Sequence, residues 1–74
     1  MKLANVKINK NLILKQIELN TKTKLRLLEL GIIPNTIIQV KHISLFKKTF
    51  LISFQNSCFT ISNAIANNIE VEYE

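Results

Sequence analysis

The hydrophobic pattern of the chain changes period several times: strand-like runs rich in Ile, Val and Phe surround one helical stretch centred near residue 26. The run Leu12 to Leu19, preceded by the polar corner Asn9-Lys10-Asn11, predicts the first full strand. Leu25, Leu27, Leu28 and Leu30 then follow helical spacing, with 25/28 and 27/30 on one broad arc, and Lys22, Arg26 and Glu29 on the opposite arc. Thr21 or Thr23 is the candidate N-cap, and Arg26 and Glu29 are placed to pair across one turn. Gly31 stands where a left-handed residue is needed to close the helix, and Pro34 bars its continuation.

Thr36 to Ile43 predicts a second strand with imperfect alternation. Ile38, Val40 and His42 share one face, while Ile37, Gln39, Lys41 and Ile43 share the other, so a bulge is expected. Ser44 to Lys48 reads as a loop. Thr49 to Gln55 is the cleanest strand, with Phe50, Ile52 and Phe54 facing inward. After the polar turn at Gln55-Asn56-Ser57 come a fourth strand, Cys58 to Ile61, and a short helix, Asn63 to Asn67, capped by Ser62 and packed through Ala64 and Ile65. The last strand alternates Ile69, Val71 and Tyr73 with Glu70, Glu72 and Glu74. Together these elements predict a mainly β fold: a small, five-stranded antiparallel barrel with one helix between strands 1 and 2 and a helical turn before the last strand.

The whole stretch, residues 1–74, is expected to form a single domain. The chain is 47% hydrophobic with one Gly and one Pro, which suits a β-rich core in so short a sequence. No apolar run approaches the length of a membrane-spanning helix, and the first residues alternate apolar with polar, so a cytoplasmic location is expected. The lone Cys58 agrees with a reducing compartment. Formal net charge is +5, which raises the prior for anionic partners, but the single Arg26 is a poor endowment for reading phosphates or bases.

The segment Arg26-Leu27, Leu30-Gly31-Ile32 and Pro34-Asn35-Thr36 resembles the signature of the FeoA family, the small A proteins of bacterial ferrous iron transport. Ile52-Ser53-Phe54, Phe59-Thr60-Ile61, Ala64 and Ile69-Glu70-Val71 extend the likeness over nearly the whole chain. Leu27, Leu30, Gly31, Pro34 and Asn35 form the structural motif. Two departures stand out: Asn35 replaces the usual Gly, and no Gly follows Phe54. Asn tolerates the left-handed region better than other residues with a side chain, which keeps the first turn feasible. The resemblance implies the SH3-like version of the barrel and a cytoplasmic accessory role beside a large membrane iron transporter carrying a GTP-binding domain.

Catalytic chemistry is not assembled by these residues. His42 is expected to be a partly buried structural side chain and Cys58 a small buried or half-buried apolar one, with Glu70, Glu72 and Glu74 solvated along one strand face. No metal or cofactor site is expected: one His and one Cys lie sixteen residues apart, and Glu70 with Glu72 offers at most a weak surface site. A nucleotide-binding Gly-rich loop is likewise missing from a chain with one Gly. A regulatory adaptor is therefore the first reading, with Leu45, Phe46, Lys47 and Lys48 as the candidate partner surface unless Phe46 folds back over the barrel. The second reading is a small basic barrel that stacks RNA or DNA bases on Phe46, Phe50, Phe54 or Phe59. Self-association is left open.

Overall fold

The computed structural model describes all 74 residues. Its strands are β1 (Leu12–Ile17), β2 (Ile37–Ile43), β3 (Thr49–Phe54), β4 (Ser57–Ser62) and β5 (Ile69–Tyr73). Helix α1 (Thr21–Glu29) joins β1 to β2, and helix α2 (Asn63–Ala66) joins β4 to β5. The strands run in the order β4-β3-β2-β1-β5, every pair antiparallel. The five-stranded, mainly β architecture and both helical connections match the expectation.

Two lysines mark where the sheet bends. The β1–β5 register shifts between Leu14 and Gln16, leaving Lys15 extra, and the β2–β3 register shifts between Val40 and His42, leaving Lys41 extra. A bulge adds one residue and sharpens the twist, which lets both arms of the sheet curl around one core. The shift in β2 also resolves its mixed pattern. Ile38 and Val40 are buried before the bulge and Ile43 packs on the core after it, while His42 points to solvent. The expected burial of His42 is thus corrected, because the extra residue reverses the alternation at that point.

The core consists of sixteen buried residues, all apolar, with no buried polar or charged residue. Phe50, Leu12, Leu14, Val40 and Val71 are fully inaccessible. Each such side chain contributes on the order of 1.5–3 kcal/mol by leaving water. Leu3, Ala4 and Val6 join them from a 3₁₀ turn (Leu3–Asn5), a segment to which the sequence pattern assigned no element. Lys2 bridges to Glu70, and the Val71 N–H donates to the Met1 carbonyl at 2.8 Å, so this segment covers the outer edge of β5.

Helix α1 begins with Asn20, whose side-chain oxygen accepts from the Thr23 N–H at 2.9 Å. Asn20 therefore takes the capping role expected of Thr21 or Thr23, and the helix starts one residue after it. Only Leu27 of its leucines is buried; Leu25, Leu28 and Leu30 remain exposed. The broad apolar arc is therefore mostly uncovered, and Arg26 and Glu29 do not pair within 4 Å.

The end of α1 is closed as expected. The Ile32 N–H donates to the Leu27 carbonyl at 2.9 Å and the Gly31 N–H to the Leu28 carbonyl at 3.0 Å, the two bonds of a Schellman motif. Ile32 and Leu27 are both buried, which supplies the accompanying apolar contact. Gly31 has φ +89. A turn over Ile33-Pro34-Asn35-Thr36 follows, closed by the Thr36 N–H to the Ile33 carbonyl at 3.2 Å, with Asn35 at φ 73. Asn35 thus supplies the positive φ for which the family uses Gly. Gln55, also at positive φ, does the same in the two-residue β3–β4 turn.

Other differences are local. Cys58 is exposed, because β4 is a terminal strand and its residue 58 lies off the core face. Ala66 replaces Ala64 as the buried alanine of α2. Tyr73 is 43% exposed, and its hydroxyl accepts from the Lys7 N–H at 3.0 Å.

A Cβ added at Gly31 would lie 3.2 Å from Phe54 Cε2 and 3.4 Å from Cζ. Gly31→Val combines that crowding with a β-branched residue at positive φ and is expected to lower unfolding free energy by about 1–3 kcal/mol. Urea denaturation measures it, and an unchanged midpoint and slope would contradict the closure described above.

Candidate interaction surface

Between β2 and β3 the expected loop contains a short 3₁₀ turn (Leu45–Lys47) whose backbone is non-helical at Phe46. Ser44 holds both ends of it. Its N–H donates to the Thr49 carbonyl at 3.0 Å, its hydroxyl accepts from the Thr49 N–H at 2.8 Å, and its carbonyl accepts from the Lys47 N–H at 2.9 Å. Phe46 and Lys47 both have left-handed backbones, at φ 62 and 54, an uncommon state for residues with a side chain. The turn therefore presents its tip in a defined shape. Leu45 is 79% exposed and Phe46 82%, and Phe46 does not fold back over the barrel. Neither Lys47 nor Lys48 pairs with an acid.

The other aromatics are turned elsewhere. Phe50 is fully buried, and Phe54 and Phe59 are half-buried against the core. Of the four phenylalanines considered for base stacking, only Phe46 is open, so the geometry does not favour the nucleic-acid reading.

A second apolar region lies beside α1. Arg26, Leu27 and Leu30 face Phe59, Ile61 and Ile65 across a groove of about 280 Å³. The sequence pattern placed these leucines on one arc of the helix but did not show the groove they line. The signal was present in the apolar residues of β4 and α2, which exceed what the core absorbs. A larger, open cleft is lined by Lys7, Lys10, Asn11, Tyr73 and Glu74, and Glu74 there accepts from the Asn11 amide at 2.9 Å.

Charges are sorted by region. Glu18, Glu70 and Glu72 take Lys2, Lys15 and the N-terminal ammonium as partners, at 2.9–3.7 Å. Lys22, Lys24, Arg26, Lys41, Lys47 and Lys48 have no carboxylate within 4 Å. Unpaired positive charge thus gathers on α1 and around the 3₁₀ turn, while Lys7 and Lys10, also without a carboxylate within 4 Å, lie beside Tyr73 and Glu74 at the end of β5. No three His, Cys, Asp or Glu side chains converge on one point, and His42 and Cys58 stand apart on β2 and β4. No helix is long and apolar enough to cross a membrane.

The FeoA domain model matches residues 1–73. The chain belongs to the FeoA family. Solved structures share its fold at low identity. The solution structure of iron(II) transport protein A from Clostridium thermocellum superposes with a TM-score of 0.89 at 22% identity, over 99% of this chain and 45% of that one. The FeoA protein from Chlorobium tepidum gives 0.91 at 18% identity, over 99% and 70%. A metal-dependent transcriptional regulator, MtsR, gives 0.82 at 21%, over 96% of this chain but 35% of the regulator. This chain thus spans less than half the length of the Clostridium thermocellum protein. No curated protein sequence matches it significantly. FeoA membership confirms the SH3-like small β fold that the helix–Gly–Pro motif implied.

The N-terminal ammonium, hydrogen-bonded to Glu70 at 2.9 Å, holds that carboxyl below the usual range, outweighing the opposing cost of desolvation, and Lys2 adds a lesser lowering. A carboxyl whose pKa is lowered by folding stabilises the native state above its unfolded value, and that stability is lost as pH falls through the folded value. The loss is therefore expected below about pH 4.5. Melting curves from about pH 7 to about pH 3 should show a smaller acid-induced drop in Tm for Glu70→Gln than for wild type. Equal drops would remove this contact from the account.

Proposed function

We propose that this chain acts in ferrous iron uptake as a small accessory and regulatory module without catalytic activity of its own. It works at the cytoplasmic face by binding the large, GTP-binding membrane transporter. Membership of the FeoA family supports the iron-uptake part, together with its likeness to a protein described as iron(II) transport protein A. A structure described as an iron uptake regulatory protein, FeoA, likewise superposes over 100% of this chain with a TM-score of 0.83.

The observation that carries the interaction is the 3₁₀ turn. Leu45, Phe46, Lys47 and Lys48 join the two most exposed large apolar side chains of the molecule to two unpaired cations. Because the backbone is already held by Ser44, binding orders little beyond side chains, which lowers its entropic cost. Phe46 is the anchor and the two lysines set orientation against an acidic rim.

Tagged protein incubated with solubilised membranes tests this. Wild type should recover the iron transporter, while Phe46→Ala should weaken capture by about 2 kcal/mol, roughly 30-fold. Lys47→Glu with Lys48→Glu should abolish it. Undiminished capture by both folded variants would place the surface elsewhere.

A further inference from the structure

We propose that the outer edge of β4, together with the groove under α1, binds an extended acidic–apolar segment of another protein by strand addition. The two ends of the sheet differ. β5 is covered by the segment at Met1 and Lys2, whereas β4 is terminal in the strand order and nothing pairs with its far side. The Asn63 N–H donates to the Lys48 carbonyl, in register with the β3–β4 ladder, so odd-numbered positions of β4 bond to β3. The N–H and C=O groups of Cys58 and Thr60 therefore point away from the sheet. Neither residue takes part in any of the backbone bonds made outside the helices and strand ladders.

The groove follows this edge. Phe59, Thr60 and Ile61 are consecutive, and consecutive side chains alternate between faces, yet all three line the same groove. Such a lining arises only along the rim of a strand. Leu27 and Leu30 form the opposite wall and Ile65 lies beside them.

The chemistry of the occupant follows from its neighbours. β4 carries no charge and no Pro, the two features that usually guard an edge against pairing, so the edge accepts a strand. Main-chain bonds to Cys58 and Thr60 would supply affinity, and alternate apolar side chains would enter between Leu30 and Phe59. Arg26 lines the groove with no carboxylate partner, and Lys22 and Lys24 on the same helix are also unpaired. An Asp or Glu in the incoming segment completes the match. This surface is separate from the Leu45–Lys48 turn and stands or falls independently of it.

Selection of a displayed library of random linear peptides against the full chain, followed by amide hydrogen exchange, tests the assignment. The selected peptides should alternate apolar residues with Asp or Glu and should slow exchange at Cys58 and Thr60 at least tenfold, by about that order. Thr60→Pro removes an outward donor without touching the β3 ladder and should abolish binding. Arg26→Glu, on an exposed helix position, should weaken it about tenfold, while Phe46→Ala leaves it unchanged. The proposal is overturned if no peptide is selected, if bound peptides leave both amides unprotected, or if folded Arg26→Glu and Thr60→Pro variants bind as wild type. Concentration-dependent dimers that protect the same two amides without peptide would overturn it too, by assigning the edge to a second copy of this chain.

Discussion

The placement of α1 rests on its C-terminal closure. The helix buries one of its three leucines, so side-chain packing along its length holds it only weakly against the sheet. Its fixed points lie at the end: the paired bonds from Gly31 and Ile32, the buried Leu27–Ile32 contact, and the ring of Phe54 against Gly31. The Asn35 N–H to Leu14 carbonyl bond, at 2.7 Å, and the Leu14 N–H to Thr36 carbonyl bond, at 2.9 Å, then tie the same turn to β1. One wall of the groove beside β4 therefore depends on a left-handed glycine lying against an aromatic ring.

That arrangement explains how a chain with so small a core still offers surface for recognition. The interior takes sixteen apolar residues and no polar or charged one. Of the exposed large apolar residues, Leu25, Leu28, Leu30, Ile33, Leu45 and Phe46 lie on α1, on the turn that follows it and on the 3₁₀ turn. Cations without partners occur on α1 and the 3₁₀ turn as well, while the acids of β5 are largely neutralised by their neighbours. Under the proposed function, such a partition supplies apolar anchors and charges that guide orientation on a partner, in keeping with an accessory role in the FeoA family.

Most of the fold was legible in the sequence. The Leu-Gly-Ile-Ile-Pro-Asn run carried its own backbone instructions, because positive φ and proline restrict conformation locally, whatever the tertiary context. The bulge in β2 was readable from two apolar sets that no flat strand could satisfy together. What escaped was decided by contacts distant in sequence. Leu3, Ala4 and Val6 are buried because the first residues lie along β5, almost seventy positions away, and periodicity over so short a stretch says nothing of that. Likewise, the helix pattern showed an apolar arc but not how much of it the sheet would cover. The cap moved from Thr21 or Thr23 to Asn20 because all three side chains are competent and only the chain's direction of entry selects between them. The exposed turn at Leu45–Lys48 was marked by composition, whereas the groove was not, since its walls come from α1, β4 and α2.

Native-state amide hydrogen exchange measures the central constraint directly. The Gly31 and Ile32 amides, whose bonds close α1, should exchange far more slowly than the Leu25 amide in the exposed middle of the same helix, at rates approaching those of β3. Exchange of Gly31 and Ile32 as fast as Leu25, with β3 still protected, would show that the helix end opens independently of the sheet and would contradict the account.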